Sequence, residues 1–118
     1  MASHNELGRH GEELGKQFLE QQNFEILHLN WKHSYYEIDV IASKNNVLHF
    51  IEIKTRRNER FGMPEESVDK KKLRKLMNAG EEFLFRFPDW KRVQYDVLSI
   101  LLLAGTAPQY FFIEDVYL

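Results

Sequence analysis

Charged residues that could bind a metal ion or take part in catalysis lie close together in two short segments. These segments, Glu-Ile-Asp-Val-Ile at 37–41 and Ile-Glu-Ile-Lys at 51–54, otherwise consist of apolar residues. Carboxylate oxygens without cysteine or a nearby histidine favour hard cations, Mg²⁺ or Mn²⁺, over Zn²⁺. A lysine beside such an ion could orient or deprotonate a water molecule, or neutralise charge developing on a phosphoryl group. The candidate residues for metal-assisted phosphodiester hydrolysis are Glu37, Asp39, Glu52 and Lys54.

Whether these side chains meet depends on the turn that joins the two segments. A two-residue loop at Asn45-Asn46 would place Asp39 opposite Glu52. The same loop would place Glu37 opposite Lys54 and on the same face. A three-residue loop would shift the pairing by one residue and separate the charged faces. Asparagine tolerates the positive φ of a two-residue type I′ turn, so the sequence favours convergence.

Several carboxylates close together in a sheet raise the free energy of the folded state unless a proton or a cation offsets their charges. Opposed like charges destabilise a strand pair. Carboxylates half-buried among apolar neighbours either hold a proton or bind a cation. The competing interpretation is a solvated polar face with cross-strand ion pairs. The position of Asp39 in the converging register, next to a basic segment, favours the metal site.

Helical and strand periodicities predict the elements that position these residues. Helices are predicted over about residues 6–22 and from Val68 to about residue 86, and strands at 24–31, 36–43, 47–55, 93–102 and 110–113. Three glycines, at 8, 11 and 15, would let the first helix lie close to a sheet. The order α-β-β-β-α-β-β includes a strand–helix–strand passage, which implies a parallel crossover. We therefore predict an α/β (α+β mixed) fold with a mixed central sheet flanked by helices.

Length and composition restrict the class of protein. A chain of 118 residues forms one domain, 1–118, in which we expect residues 1–7 to be flexible. The hydrophobic content of 43% excludes a disordered chain. The absence of cysteine excludes disulfide scaffolds and thiolate metal sites and fits a reducing cytosol. No apolar stretch approaches the length of a membrane span and no export signal is visible, so we expect a cytoplasmic protein without membrane contact.

The net charge of −2 conceals an uneven distribution. Residues 1–52 carry −4, residues 53–92 carry +5 and residues 93–118 carry −3. The whole-chain charge argues against a nucleic-acid binder, whereas the basic third suggests contacts with a phosphate backbone. A solvated helix face is the alternative explanation for these charges. The candidate nucleic-acid-binding residues are Arg56, Arg57, Arg60, Lys72 and Arg74.

The histidines and tyrosines give weaker signals. The five histidines include no His-x-x-His pair and have no cysteine to pair with, so packing or surface roles are expected for them, and His49 should pack on the face of its strand opposite to Glu52. Tyr35 and Tyr36 could stack on bases, but aromatic residues beside a strand more often pack against the core. We therefore assign packing to both tyrosines.

Several motifs in order along the chain resemble the YraN family of predicted endonucleases. The matching segments are Gly11-Glu12, Leu29-Asn30, 37–42, 50–56, Phe61-Gly62, Ser67-Val68 followed by Lys72, and 95–97. The resemblance covers about residues 8–116. It implies similarity to Holliday-junction resolvases and the restriction-endonuclease-like fold of the PD-(D/E)xK nuclease superfamily. The family usually has glycine where this chain has Tyr36.

The resemblance also implies roles for particular residues. Asp39 and Glu52 would be metal ligands, Glu12 would reach the same site from the first helix, and Lys54 would be the catalytic lysine. Lys72 would approach nearby phosphates. The implied cofactor is Mg²⁺ or Mn²⁺, and the implied partner is nucleic acid, with branched or otherwise structured DNA as the substrate. Resolvases of this kind act as homodimers.

Two other classes of function stay open at this stage. The first is a nucleic-acid-binding or accessory module that has kept the fold but lost efficient catalysis. The second is a structural α+β domain without affinity for nucleic acid. Fold alone does not establish activity.

Overall fold

Two helices and five strands make up the computed structural model, which describes residues 4–57 and 69–117. Their bounds in chain order are α1 (His4–Gln21), β1 (Glu25–His33), β2 (Tyr36–Lys44), β3 (Val47–Arg56), α2 (Lys70–Arg86), β4 (Val93–Leu101) and β5 (Gln109–Ile113). The predicted order α-β-β-β-α-β-β is confirmed. α1 begins at His4 and so includes residues 4–7, for which flexibility is the prediction from sequence. The predicted start of the second helix, Val68, lies outside the described residues.

The strands form one sheet in the order β1-β2-β3-β4-β5. β3 and β4 pair in parallel, and the other neighbouring strands pair antiparallel. α2 connects the two parallel strands, as the predicted crossover requires. Because β3 and β4 lie in the interior of the sheet, residues 48–51 and 96–101 are buried, and these two segments are largely apolar.

The two helices cover opposite faces of the sheet, because neighbouring residues of β3 pack on different helices. Phe50 belongs to a buried cluster with Leu73 and Phe83 of α2. Ile51 belongs to a second cluster, which includes Leu19 of α1. Neither helix of the described chain is both long and apolar enough to cross a membrane.

Two glycines bring α1 against β3, as predicted. A Cβ atom at Gly11 would overlap the side chain of Thr55, and one at Gly15 would lie 2.6 Å from Ile53 Cδ1. Any larger residue at these two positions would push the helix away from the strand. Glu12 follows Gly11 directly, so the close approach of α1 to β3 also sets the position of the Glu12 backbone relative to β3.

The β2–β3 hairpin has the predicted turn. Asn45 and Asn46 have φ values of 53° and 65°, the left-handed conformation that a type I′ turn requires at both positions. Lys44 pairs with Val47, and the same register continues to the pair of Val40 and Ile51. The sequence therefore predicted this register correctly through the apolar part of the hairpin.

Candidate functional site

β2 and β3 stop pairing where the charged residues begin. The ladder ends at Val40 and Ile51, so the predicted pairs of Asp39 with Glu52 and of Glu37 with Lys54 are absent from it. β3 continues alongside β4 as far as Arg56. The Ile53 N–H donates instead to Asp39 Oδ2 over 2.8 Å. A carboxylate thus replaces the backbone acceptor that a continued β2 would supply.

Glu37 lies at the rim of the site and not opposite Lys54. It pairs across the β1–β2 ladder with Lys32, and its Oε1 atom lies 3.8 Å from Lys32 Nζ. Both side chains are well exposed, with 67% and 71% of their surfaces accessible. The predicted contact with Lys54 is wrong because β2 pairs with β1, not with β3, at this point.

Asp39 is the centre of the carboxylate group. Its side chain is half-buried, and burial is the main reason that its pKa rises from 3.8 to about 6. The negative charges of Glu52, Glu12 and Glu37 raise it further, whereas the Ile53 N–H acts in the opposite direction. Acidic residues of α1, β2 and β3 therefore lie close enough for their charges to interact. We call Glu12, Glu37, Asp39 and Glu52 the Asp39 cluster.

Glu12 is held in place from β1. Asn30 Nδ2 donates to Glu12 Oε2 over 3.1 Å, and Asn30 itself has a φ of 52° within the strand. This left-handed conformation is costly for most residues and is tolerated best by asparagine among the non-glycine residues. Asn30 therefore has two roles: it adopts the left-handed backbone conformation within β1, and its side chain orients Glu12 of α1.

Lys54 stands on the same face of β3 as Glu52. Its Nζ atom lies 3.7 Å from Glu52 Oε1. Burial lowers the pKa of Lys54, and hydrogen bonding and charge repulsion from Lys72 lower it further, while Glu52 and Asp69 act in the opposite direction. Lys54 therefore gives up its proton more easily than an exposed lysine does.

An open cleft of about 590 Å³ joins the acidic residues to α2. Its lining consists of Tyr35, Tyr36, Glu37, Asp39, Glu52, Lys72, Lys75, Leu76 and Asn78. Carboxylates of β2 and β3 thus face lysines of α2 across one space. An arrangement of this kind can hold a cation on one side and a polyanion on the other.

The predicted basic residues divide into three groups. Lys72 lines the cleft, whereas Arg74, on the same helix, is exposed and does not belong to the lining. Arg56 and Arg57 are half-buried at the end of β3, two and three residues after Lys54. Arg60 lies outside the described residues.

The donor atoms of the Asp39 cluster fit a hard divalent cation. They are all carboxylate oxygens, and burial, together with the charges of Glu52, Glu12 and Glu37, disfavours the ionised form of Asp39 in the absence of a cation. Among the described residues, the three potential ligand atoms that lie within 4.8 Å of one another are those of His49, Asp96 and Glu114. In the Asp39 cluster, any three carboxylate oxygens from different residues lie farther apart than this. Glu12, Asp39 and Glu52 would therefore have to close around a bound ion.

Sequence reasoning missed a polar network on the opposite face of the sheet. His49 Nδ1 lies 2.6 Å from Asp96 Oδ2, and both side chains are buried. Asp96 Oδ1 accepts from the backbone N–H of Asp115 and from Gln94 Nε2. With both oxygens of Asp96 already bonded, this network ties the chain after β5 to the sheet. The detectable signal was a polar residue beside an apolar stretch in each strand, His49 in β3 and Asp96 in β4.

Ser99 is a second residue that the sequence did not single out. It pairs with Lys54 across the parallel β3–β4 ladder and is fully buried. Within the described chain its hydroxyl has no hydrogen-bond partner. A buried hydroxyl of this kind costs free energy, so its position beside Lys54 is not explained by packing alone.

Comparison with known proteins identifies relatives across nearly the whole chain. Residues 11–100 match the model of a family described as "Uncharacterised protein family UPF0102". A UPF0102 protein of Rhodococcus opacus is 36% identical over 118 residues, which cover 99% of this chain and 100% of the relative. A UPF0102 protein of Bacteroides thetaiotaomicron is 37% identical over 101 residues, covering 86% of this chain and 84% of the relative.

A third relative, a UPF0102 protein of Flavobacterium johnsoniae, is 38% identical over 104 residues, covering 85% of each chain. The family match includes the Asp39 cluster, Lys54 and the lysines of α2. The chain therefore belongs to the uncharacterised protein family UPF0102.

Proposed function

We propose that this protein is a metal-dependent endonuclease that hydrolyses phosphodiester bonds of nucleic acid, with branched or otherwise structured DNA as its substrate. The observation that carries the proposal is the cleft in which Asp39 and Glu52 face Lys72 and Lys75. Glu52 also pairs with Lys54, whose pKa is lowered. The motif resemblance to the YraN family of predicted endonucleases supports the same conclusion.

In this proposal Glu12, Asp39 and Glu52 hold Mg²⁺ or Mn²⁺. Such an ion, when bound, polarises a phosphoryl oxygen and makes a nearby water molecule more acidic. Because Asp39 carries a proton more readily than an ordinary aspartate, ion binding releases that proton and relieves the repulsion among the carboxylates. Because the ion competes with a proton at Asp39, whose pKa is about 6, ion binding should strengthen as the pH rises through that value.

Lys54 and the lysines of α2 act on the substrate. The oxygen of a water molecule attacks phosphorus, the bond from phosphorus to the leaving oxygen breaks, and a proton ends on the leaving oxygen. Lys54 orients the water and takes part in its deprotonation, for which a lowered pKa is an advantage. Lys72 and Lys75 bind the phosphate backbone along the wall of the cleft.

The test is a cleavage assay with purified protein on end-labelled linear duplexes, single strands, four-way junctions and RNA, with Mg²⁺ or Mn²⁺. Glu52→Gln and Lys54→Ala should each reduce cleavage by about 100-fold or more. Glu20→Gln is the matched control, since Glu20 is exposed on α1 and lies outside the cleft lining. Full activity in either of the first two variants would refute the proposed site.

The assay also separates catalysis from binding alone. Salt-dependent binding of nucleic acid that survives Asp39→Asn, with no cleavage by the wild type and no heat of Mg²⁺ or Mn²⁺ binding, would replace the nuclease by a binding or accessory module. As proposed, the enzyme acts in the cytoplasm and, by analogy with resolvases, as a homodimer. Sedimentation of the free and nucleic-acid-bound protein tests the homodimer.

A further inference from the structure

Tyr35 is the most exposed large apolar side chain among the described residues. Its relative exposure is 98%, compared with 82% for Phe85 and 77% for Tyr117. It occupies the two-residue turn between β1 and β2 together with Ser34, whose φ is 56°. Turns usually carry small polar residues, so packing does not explain an aromatic ring there.

The neighbouring tyrosine shows what packing would look like. Tyr36 is half-buried and packs against the cluster on the α2 face of the sheet. Packing, which the sequence suggested for both tyrosines, is therefore correct for Tyr36 and wrong for Tyr35. The turn directs one ring to the core and leaves the other in solvent.

The location of Tyr35 distinguishes it from other exposed aromatic residues. Tyr35 lines the cleft that contains Asp39, Glu52 and Lys72, whereas Phe85 and Tyr117 do not. A ring, a cationic wall and the carboxylates thus border one open space of about 590 Å³. That volume lies within the range of roughly 300–1,000 Å³ that accommodates small-molecule-sized groups, such as a single nucleotide.

We propose that Tyr35 is a stacking platform for an unpaired base of the nucleic acid held in this cleft. The inference rests on the proposed function and narrows its substrate to nucleic acid with an unpaired base next to the cleaved phosphate. Inside a duplex both faces of a base are covered by its neighbours, so only an unpaired or terminal base offers a free face. Stacking on aromatic rings is indifferent to base identity, because every base has a π-face.

The charges around the ring agree with this role. Lys72 and Lys75, on α2, bind phosphates of a nucleic-acid strand in the cleft. An unpaired base of the same strand then stacks on the ring of Tyr35. The contact needs the ring but not its hydroxyl. Phenylalanine should therefore replace Tyr35 without loss, and alanine should not.

The experiment measures binding by fluorescence anisotropy, with Ca²⁺ in place of Mg²⁺ so that the oligonucleotide stays intact. The probes are a fully paired duplex and the same duplex with a single-stranded gap. Tyr35→Ala should weaken binding of the gapped probe about 5- to 100-fold and leave the paired probe within about twofold. Tyr35→Phe and the control Tyr117→Ala should bind both probes as the wild type does.

The outcomes separate this inference from the proposed function. If Tyr35→Ala binds the gapped probe as tightly as the wild type, the stacking role is refuted while a nuclease site stays intact. An equal loss on both probes also refutes it, because Tyr35 would then serve general binding. If the wild type binds neither probe, nor single strands or RNA, the proposed function itself fails, and the stacking role with it.

Discussion

Replacing Asp39 by asparagine should stabilise the folded protein at neutral pH in the absence of metal. Asparagine has nearly the same shape as aspartate, and its side-chain oxygen can still accept the hydrogen bond that the Ile53 N–H donates over 2.8 Å. The variant removes a charge that burial disfavours most and that Glu52, Glu12 and Glu37 also repel, and it replaces the second carboxylate oxygen by an amide NH₂ group. Most substitutions of half-buried residues destabilise a protein, so the expected sign is informative.

The magnitude follows from the pKa of Asp39, which burial and neighbouring carboxylates raise from 3.8 to about 6. A carboxyl group with a raised pKa in the folded state contributes its full stability below the unfolded value and loses it as the pH rises through the folded value. A shift of about two pKa units corresponds to about 3 kcal/mol. Since Asp39 is half-buried, solvent screening reduces this to about 1–3 kcal/mol.

The assay is urea unfolding of wild type and Asp39→Asn at several pH values between 4 and 8, in EDTA and in Mg²⁺. In EDTA the variant should gain about 1–3 kcal/mol over the wild type as the pH rises from 4 to 8. Mg²⁺ at about 100 times its Kd should stabilise the wild type by about 2.7 kcal/mol and the variant much less. Asp89→Asn, at an exposed position after α2, is the matched control.

Two results would refute the reasoning about the charge of Asp39, and a third would refute its place in the proposed metal site. A variant that is less stable than the wild type at pH 8 in EDTA would show that Asp39 is not repelled in the folded state. A stability difference that stays constant between pH 4 and 8 would show that its pKa is not raised. Equal stabilisation of both proteins by Mg²⁺ would remove Asp39 from the metal site.

Three further predictions concern the elements around the site. Gly11→Ala should destabilise the fold by about 1–3 kcal/mol, measured by urea unfolding, because the new Cβ overlaps Thr55, and it should weaken Mg²⁺ binding by displacing α1. Lys72→Ala should reduce binding of DNA about 5- to 10-fold and flatten its salt dependence, whereas Lys71→Ala, outside the cleft lining, should change it less. Asp96→Ala should cost about 3 kcal/mol or more in thermal unfolding, because it leaves His49 Nδ1, the Asp115 N–H and Gln94 Nε2 without their hydrogen-bond partner, while Mg²⁺ binding persists.

Much of the fold could be predicted from local pattern. The alternation of apolar residues located the strands to within a few residues, and Asn45-Asn46 specified the turn and the register that follows from it. Glycines at 11 and 15 predicted a helix that lies close to the sheet. These features depend on residues that are near one another in the chain, so the sequence contains them directly.

The sequence predicted some placements in the candidate site correctly and others not. Period-two alternation correctly put Glu52 and Lys54 on one face of β3, where they form an ion pair. It failed for Glu37, which pairs with Lys32, because the hairpin ends at Val40 and Ile51. A strand can exchange one neighbour for another at any residue, and no local pattern marks that point.

The sequence by itself determined the order of the elements, the β2–β3 turn and the residue types of the proposed cation site and of the basic helix α2. Only the tertiary structure decided that Asn30 holds Glu12, that Asp39 bonds to Ile53, and that Tyr35 faces the cleft. Local patterns reflect backbone preferences of a few residues. The chemistry of the site depends instead on burial and on charges brought together by distant segments, and these exist only in the folded chain.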